Sequence, residues 1–512
     1  MVEDGAYRIL IVGGGTAGWM AAAALRRRLA LADYRITLVE SDEIGTVGVG
    51  EATLPHIKLF NDMLGLDEAE FMRETHASFK LGIEFRGWDR EGDRYIHPFG
   101  AFGEPWGGVE FQHHWLRARA HGRPVAPLEA YSCSVMAAQA NAFELPDEDP
   151  DSIRSTYSYA YHFDSSRYAG HLRDYGTARG VIRIEGEVCA VEREGESGAL
   201  ASVTLKSGQR IEADLFVDCT GFRSLLLAGQ FGAEWEDWSR WLPCDRALAV
   251  PCDHGGDGLT PYTRATARHA GWQWRIPLQH RIGNGYIFSS ALLSEDEARG
   301  TLLANLDGPP QAEPRLLRFR PGRRVDAWRG NCVAIGLASG FLEPLESTSI
   351  YLIQAAVTDL INLMPTPRAG RRADPRLADE FNRLNAMQYE RVRDFLILHY
   401  IANRREGEPF WDALRAVELP DTLAHKLALF RARGTVPNYQ YGLFARDSWL
   451  SVLWGQGLRP RGYDRLADGF DLDAVSARLE DFRGRIAAAV SGMPGHATFL
   501  WGYCGGALEL LS

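Results

Sequence analysis

Gly13, Gly15 and Gly18 fit the spacing G-x-G-x-x-G, and Glu40 follows 22 positions after the last of them. Gly13 permits a tight turn, Gly15 lets the main chain approach a pyrophosphate, and Gly18 lets a helix pack closely on a strand. A carboxylate at Glu40 can then hold a ribose hydroxyl. Thr16 and Ala17 lie in the turn before the helix, whose N-terminus would face the phosphates. Lys80 is a second candidate. The chain has only four lysines, Lys58, Lys80, Lys206 and Lys426, so one inside the apolar run Phe79-Lys80-Leu81 stands out, against the plain alternative of a snorkelling surface lysine. Trp272 and Trp274 lie two apart in Gly271-Trp272-Gln273-Trp274-Arg275-Ile276-Pro277, a spacing that by itself says only that both share one face of a buried strand. The seven cysteines form no C-x-x-C, and no His/Cys cluster has zinc spacing, so no metal site and reduced thiols are expected.

The elements that must position these residues can be read in order. The apolar, β-branched run Ile9 to Val12 is a strand feeding the glycine turn, which opens a helix over Ala21 to Arg28, and Ile36 to Val39 forms a second strand ending at Glu40. Glycines at 45, 48 and 50 mark a loop that passes close to a ligand. Ile57 to Phe71 has helical periodicity, and strand alternation begins near Phe79. A helix capped by Asp164 or Ser165 runs to about Arg179, followed by strands over Val181 to Leu205. Ile211 to Gly221 reads as a strand returning to the nucleotide sheet. Alternating runs between Ala247 and Ser290 suggest an antiparallel sheet. Asn331 to Gly340 is a further strand with a second glycine turn at Gly336, leading through Leu342, Glu343 and Glu346 into a helix. From Leu377 helical patterns dominate.

A chain of 512 residues exceeds the size of one core. The expected fold is α/β: a Rossmann-like FAD-binding lobe with mixed sheets, plus a mostly helical substrate lobe. The FAD-binding body would span 1–365, its nucleotide lobe assembled from 1–60, 180–225 and 325–365, with the helical lobe over 366–512. A net charge of −11 with no basic run argues against nucleic acid or an anionic membrane as partner. Glu3 and Asp4 stand where a signal peptide would be basic, and no apolar stretch reaches membrane-spanning length, so a cytoplasmic location is expected.

The later glycine turn at Gly336 and the Thr220-Gly221 strand end describe an FAD lobe better than an NAD lobe. No second G-x-G-x-x-G follows a strand, so either a nicotinamide binds transiently or the flavin arrives reduced. The chain resembles the flavin-dependent halogenases of the tryptophan-halogenase family. The residues that carry the likeness are Gly13 to Trp19, Val49-Gly50-Glu51-Ala52-Thr53, Phe79-Lys80, Trp272 to Pro277 and Glu343-Pro344-Leu345-Glu346-Ser347-Thr348.

The resemblance implies that reduced FAD, O2 and a halide, chloride or bromide, yield hypohalous acid, which reaches an aromatic substrate through the interior. Lys80 matches the family's catalytic lysine, acting as an ammonium that polarises the oxidant or as an amine that forms a haloamine. Glu346 matches the second catalytic residue, which positions the oxidant or takes the ring proton; Glu343 is given no catalytic role. Thr348 and Ser349 match the halide site, although many members have glycine where Ser349 stands. Gly50, Glu51 and Ala52 belong to the strap against FAD, with Val188, Gly336 and Leu342 as further cofactor contacts. Trp272, Trp274, Ile276 and Pro277 form a motif that keeps substrate off the flavin. His97, Phe99 and Trp454 match positions around an aromatic substrate.

Members acting on tryptophan carry a Tyr/Glu/Asn-bearing segment that grips the amino acid. Here it reads Phe444-Ala445-Arg446-Asp447-Ser448-Trp449-Leu450-Ser451-Val452-Leu453-Trp454, so a free indole or another electron-rich arene is expected over L-tryptophan. A separate flavin reductase is the expected partner, and a homodimer is admitted. The rival readings are a tryptophan halogenase proper, an FAD-dependent aromatic hydroxylase, for which Lys80 would be dispensable, and a flavin-binding regulator without turnover.

Overall fold

The computed structural model describes residues 5–43, 51–366, 374–439 and 442–505. The expected contact Gly50 and most of the glycine loop preceding Glu51 lie outside them. The chain divides into two compact units. One comprises Met1–Ala77, Phe163–Asp245 and Arg318–Glu390; the other comprises Ser78–His162, Arg246–Leu317 and Arg391–Ser512. The unit boundaries thus fall at several points along the chain and not at a single point near residue 365.

The first unit is built on a six-stranded sheet in the order Trp328–Arg329, Cys332–Ala334, Leu215–Asp218, Tyr7–Val12, Tyr34–Glu40 and Ile182–Glu185. Its four inner and outer pairings from Cys332–Ala334 to Ile182–Glu185 are parallel. Ile9, Ile11 and Leu38 are buried because a parallel sheet is covered on both faces, which is why these strands read as continuous apolar runs. The first helix spans Thr16–Arg28. It begins five residues earlier than Ala21, because Gly15 serves as its N-cap and Thr16 to Gly18 form its first turn. Arg26, Arg27 and Arg28 in the last turn suit the negative end of the helix dipole.

The periodic stretch 57–71 is two helices, His56–Leu64 and Glu68–Glu74. Gly65 takes a left-handed φ of 75° to close the first, and the Asp67 side chain caps the second by accepting the Glu70 N–H at 2.8 Å. Asp164, not Ser165, caps the helix Ser165–Ala178, accepting from Ser166 and Arg167. The run 211–221 is also divided: Arg210–Glu212 joins a separate three-stranded sheet, and Leu215–Asp218 returns beside the first strand.

The second unit holds a seven-stranded sheet in the order Arg315–Arg318, Arg246–Cys252, Ile282–Phe288, Gly271–Pro277, Thr263–Arg268, Gly82–Arg86 and Arg94–Pro98. Its antiparallel centre is the sheet expected from residues 247–290. The Gly82–Arg86 strand adds to it in parallel through Thr266↔Arg86 and its neighbours, which ties the chain just after Lys80 to this sheet. The preceding strand, Ser78–Lys80, pairs with Ala160–Phe163 in the register Ser78↔His162 and Lys80↔Ala160. Beyond residue 391 the described residues form helices and no strands. No helix among them is long and apolar enough to cross a membrane.

Candidate functional site

The first unit presents a glycine cradle. Gly13 has φ 111°, and a Cβ there would lie 2.3 Å from the Cys219 carbonyl oxygen. A Cβ on Gly18 would lie 1.8 Å from the Gly13 carbonyl oxygen. Neither neighbour can move aside, since both are main chain, so these two positions admit only glycine. The helix that follows has no side-chain cap and no acidic residue in its first turn. Its leading N–H groups are left to bind an anion. The Glu40 carboxylate lies over the turn, where a Cβ on Gly14 would collide with it. It accepts the Trp19 indole N–H at 3.1 Å and the Arg183 Nε–H at 2.5 Å. Motif reading singled out Glu40 but not Arg183, whose only sequence signal is its place one strand beyond Glu40.

The second glycine turn meets the first. Gly336 has φ 70°, and a Cβ there would approach the Ala17 Cβ to 2.8 Å. Leu342 is buried, and Val188 packs against a core cluster of this unit. Ala52 is buried; burial and then nearby Asp164 push the Glu51 carboxyl up to about 7. A cradle closed to any Cβ, facing an uncapped helix start, fits the pyrophosphate of a dinucleotide.

Glu346 and Ser347, both buried, adopt left-handed φ angles of 67° and 58° immediately before the helix Thr348–Asn362. Alternation from left- to right-handed backbone turns successive N–H groups toward one concave side, an arrangement suited to an anion. The helix has no side-chain cap, and the buried Thr348 Oγ1 has no hydrogen-bond partner among the described residues. Ser349 follows it in the first helical turn. Glu343 is buried as completely as Glu346, so burial alone does not separate the expected catalytic carboxylate from its control.

The second unit holds Lys80, which has no exposed surface. Its Nζ lies 5.0 Å from the centre of the Phe99 ring. His97, directly opposite Ile83 in the sheet, is 1% exposed. Its ring contacts those of Phe99, Phe395 and Phe444, with centroids 6.3, 5.6 and 6.0 Å away. Phe395 stacks on Phe444 at 3.9 Å and meets Trp449 edge-on at 5.0 Å. The result is an aromatic enclosure beside the buried amino group of Lys80. Sequence reading singled out Lys80, His97 and Phe99 among these residues but not Phe395 and Trp449.

Trp454 is not part of that enclosure: its ring contacts are with Trp115 at 4.6 Å and the guanidinium groups of Arg119 and Arg459. Trp449 and Trp454 are five residues apart on one helix, about 140° around its axis, so the face that brings Trp449 to Phe395 turns Trp454 elsewhere.

Trp272 and Trp274 are buried with ring centroids 6.1 Å apart. The Trp274 ring occupies the space that any Cβ on Gly285 would need. Ile276 is buried, and Pro277 ends the strand. Ser78 Oγ donates to the Pro277 carbonyl at 2.6 Å. Its proton being used there, it accepts from His162 Nδ1–H at 3.0 Å, and His162 Nε2 then accepts from Thr263 Oγ1 at 2.9 Å. Burial, and then the charge of Lys80, hold His162 well below its ordinary pKa. It is therefore a neutral imidazole in a fixed tautomer.

His114 stacks on Trp106 at 3.7 Å. No group of three or more His, Cys, Asp or Glu residues able to hold a metal occurs among the described residues.

The chain is similar to known proteins over nearly its whole length. The family model for tryptophan halogenases matches residues 8–471. The tryptophan 6-halogenase SttH of Streptomyces toxytricini is 37% identical over 90% of this chain and 92% of its own length. BrvH, a flavin-dependent halogenase from Brevundimonas sp. BAL3, is 46% identical and superposes with a TM-score of 0.93 over 97% of this chain and 99% of its own. Xcc4156, a flavin-dependent halogenase from Xanthomonas campestris, is also 46% identical, with a TM-score of 0.92 over 98% of each chain.

Proposed function

The chain belongs to the tryptophan halogenase family, and from that membership we propose that it is an FADH2-dependent enzyme halogenating an indole-type or other electron-rich arene. The observation that carries this reading is the complete burial of Lys80 beside Phe99 at the edge of the His97–Phe395–Phe444 enclosure. An amino group is buried at a cost unless it has a use, and the flat faces of an aromatic cluster suit a flat aromatic ring.

Gly13, Gly15, Thr16, Ala17, Gly18 and Glu40 would hold FAD, with Gly336 and Leu342 closing the cradle and Val188 toward the adenine. Reduced FAD, when bound, supplies the electrons with which O2 oxidises the halide to hypohalous acid and water. The N–H groups at Thr348 and Ser349 would hold the halide. Lys80 donates a hydrogen bond to the oxygen of hypohalous acid and so weakens the oxygen–halogen bond. A ring carbon attacks the halogen, the C–X bond forms, and the oxygen departs as water with the proton given by Lys80. Glu346 accepts the proton lost from the ring, which restores aromaticity. Trp272 and Trp274 keep the arene from the flavin.

A free indole is favoured over L-tryptophan because the charged groups of the 444–454 segment are engaged by the protein. Arg446 pairs with Glu110 and Asp447, and Asp447 accepts the Phe102 N–H at 3.3 Å. The partner is a separate flavin reductase. The test supplies FAD, a reductase, NADH, O2 and bromide, and offers indole and L-tryptophan separately. Bromoindole without bromotryptophan is the expected result. Products from tryptophan alone overturn the substrate class, and a halide-independent oxygenated product overturns halogenation in favour of hydroxylation.

A further inference from the structure

The seven-stranded sheet carries a cavity of about 200 Å³ that halogenation does not use; its lining includes Arg86, Arg264, Thr266, Arg268, Gln273 and Arg275. Register sets its geometry. Thr266 stands directly opposite Arg86 on one neighbouring strand and Gln273 on the other. Arg264 and Arg268 are its same-face neighbours two residues before and after, and Arg275 stands opposite Arg264. A hydroxyl is thus ringed by cationic side chains from three strands.

Ion pairing accounts for three of the four arginines. Arg86 holds Glu84 at 2.8 Å and Asp257 at 3.2 Å. Arg264 holds Asp257 at 2.6 Å and Asp307 at 3.1 Å, and Arg275 holds Asp307 at 2.6 Å. Arg268 is different: it donates from Nε and Nη2 to the neutral Gln273 Oε1 at 3.2 and 2.9 Å and meets no carboxylate among the described residues. Four guanidinium groups against three carboxylates leave one positive charge uncompensated. Burial, followed by the charges of Arg275 and Arg86, also holds Arg264 below its ordinary pKa, as expected where cations crowd one another.

We propose that this cavity binds a small oxyanion of the phosphate class, with Thr266 Oγ1 and the Arg268 guanidinium as its principal donors. The two principal donors stand two residues apart on the strand Thr263–Arg268, with Arg86 and Arg275 on the strands to either side supplying further positive charge, which suits an anion able to carry more than one negative charge. An Arg–phosphate contact is charge-assisted and geometrically specific. A purely structural ionic network would explain Arg86, Arg264 and Arg275, but it leaves Arg268 without an acid among the described residues.

The experiment is calorimetric titration of the FAD-saturated full chain at fixed ionic strength. Inorganic phosphate probes the free anion and adenosine monophosphate the esterified one; the tighter of the two identifies the source. The expected result is saturable one-to-one binding, about tenfold weaker in Arg268→Gln and in Thr266→Val, consistent with loss of one hydrogen bond to a charged group. Arg465→Gln, an exposed arginine elsewhere, should bind as the wild type does. Thr266→Val conserves shape, so it reads the site even where the arginine variant misfolds. Absence of saturable binding, or equal affinity in wild type and Thr266→Val, overturns the proposal.

Discussion

The Ser78 hydroxyl donates to the Pro277 carbonyl at 2.6 Å, so the strand that ends in Lys80 is tied to the strand that carries Trp272 and Trp274. His162 fixes that hydroxyl's orientation from the other side. Ser78→Ala should lower kcat for halogenation about tenfold, by the order of one buried hydrogen bond, while leaving the FAD Kd unchanged. Steady-state kinetics alongside flavin fluorescence titration separates the two. An unchanged kcat would show that the tie has no bearing on how Lys80 is placed.

Lys80 is fully buried. Lys80→Met should abolish halogenation, by at least about a hundredfold if a positioned proton donor is lost. FAD affinity should stay at the wild-type value. A Lys80→Met enzyme that still brominates indole at the wild-type rate removes Lys80 from the chemistry.

Trp449 contacts Phe395, whereas Trp454 contacts Trp115, Arg119 and Arg459. Trp449→Ala should raise KM for the arene about tenfold or more, as expected for losing one aromatic wall, and Trp454→Ala should leave KM within twofold. Progress curves at varied indole concentration decide this. The reverse ranking would return Trp454 to the substrate site.

Burial holds the His496 imidazole down to about 4. In the unfolded chain the ring takes a proton near pH 6.5, while in the folded chain it resists until about 4. Unfolding thus gains protons across that window, and stability falls as pH drops from 6.5 toward 4. His496→Gln removes this contribution, of up to about 3 kcal/mol by linkage. Urea melts of both proteins at pH 7 and pH 4.5 should show a smaller acid loss in the variant. Equal losses would mean that His496 titrates normally in the folded protein.

The glycine cradle was legible in the sequence because its requirement is local: only glycine fits where Gly13 and Gly18 meet main chain, and the spacing records it. Lys80 and the Trp272–Pro277 motif were legible through resemblance more than through physics. The contacts among Phe395, Phe444 and Trp449 were not legible, because they join one helix to a distant loop and the helix after it. Nor does a motif position state which way a side chain turns on its helix, and Trp454 packs on Trp115, Arg119 and Arg459 and not on Phe395. Arg183 and the arginine cavity depend on strand order and register, which no single stretch of sequence contains.

Glu346 and Ser347 hold left-handed backbone angles that cost side-chain-bearing residues on the order of 1 kcal/mol each. Glycine at 346 would relieve that strain and simultaneously remove the carboxylate, so Glu346→Gly should melt higher while losing halogenation. Stability and turnover are therefore opposed at a single position. A laboratory selection for heat resistance alone would drift toward glycine there and deliver a sturdier, inert protein, whereas a selection coupled to product formation would hold the glutamate in its strained turn.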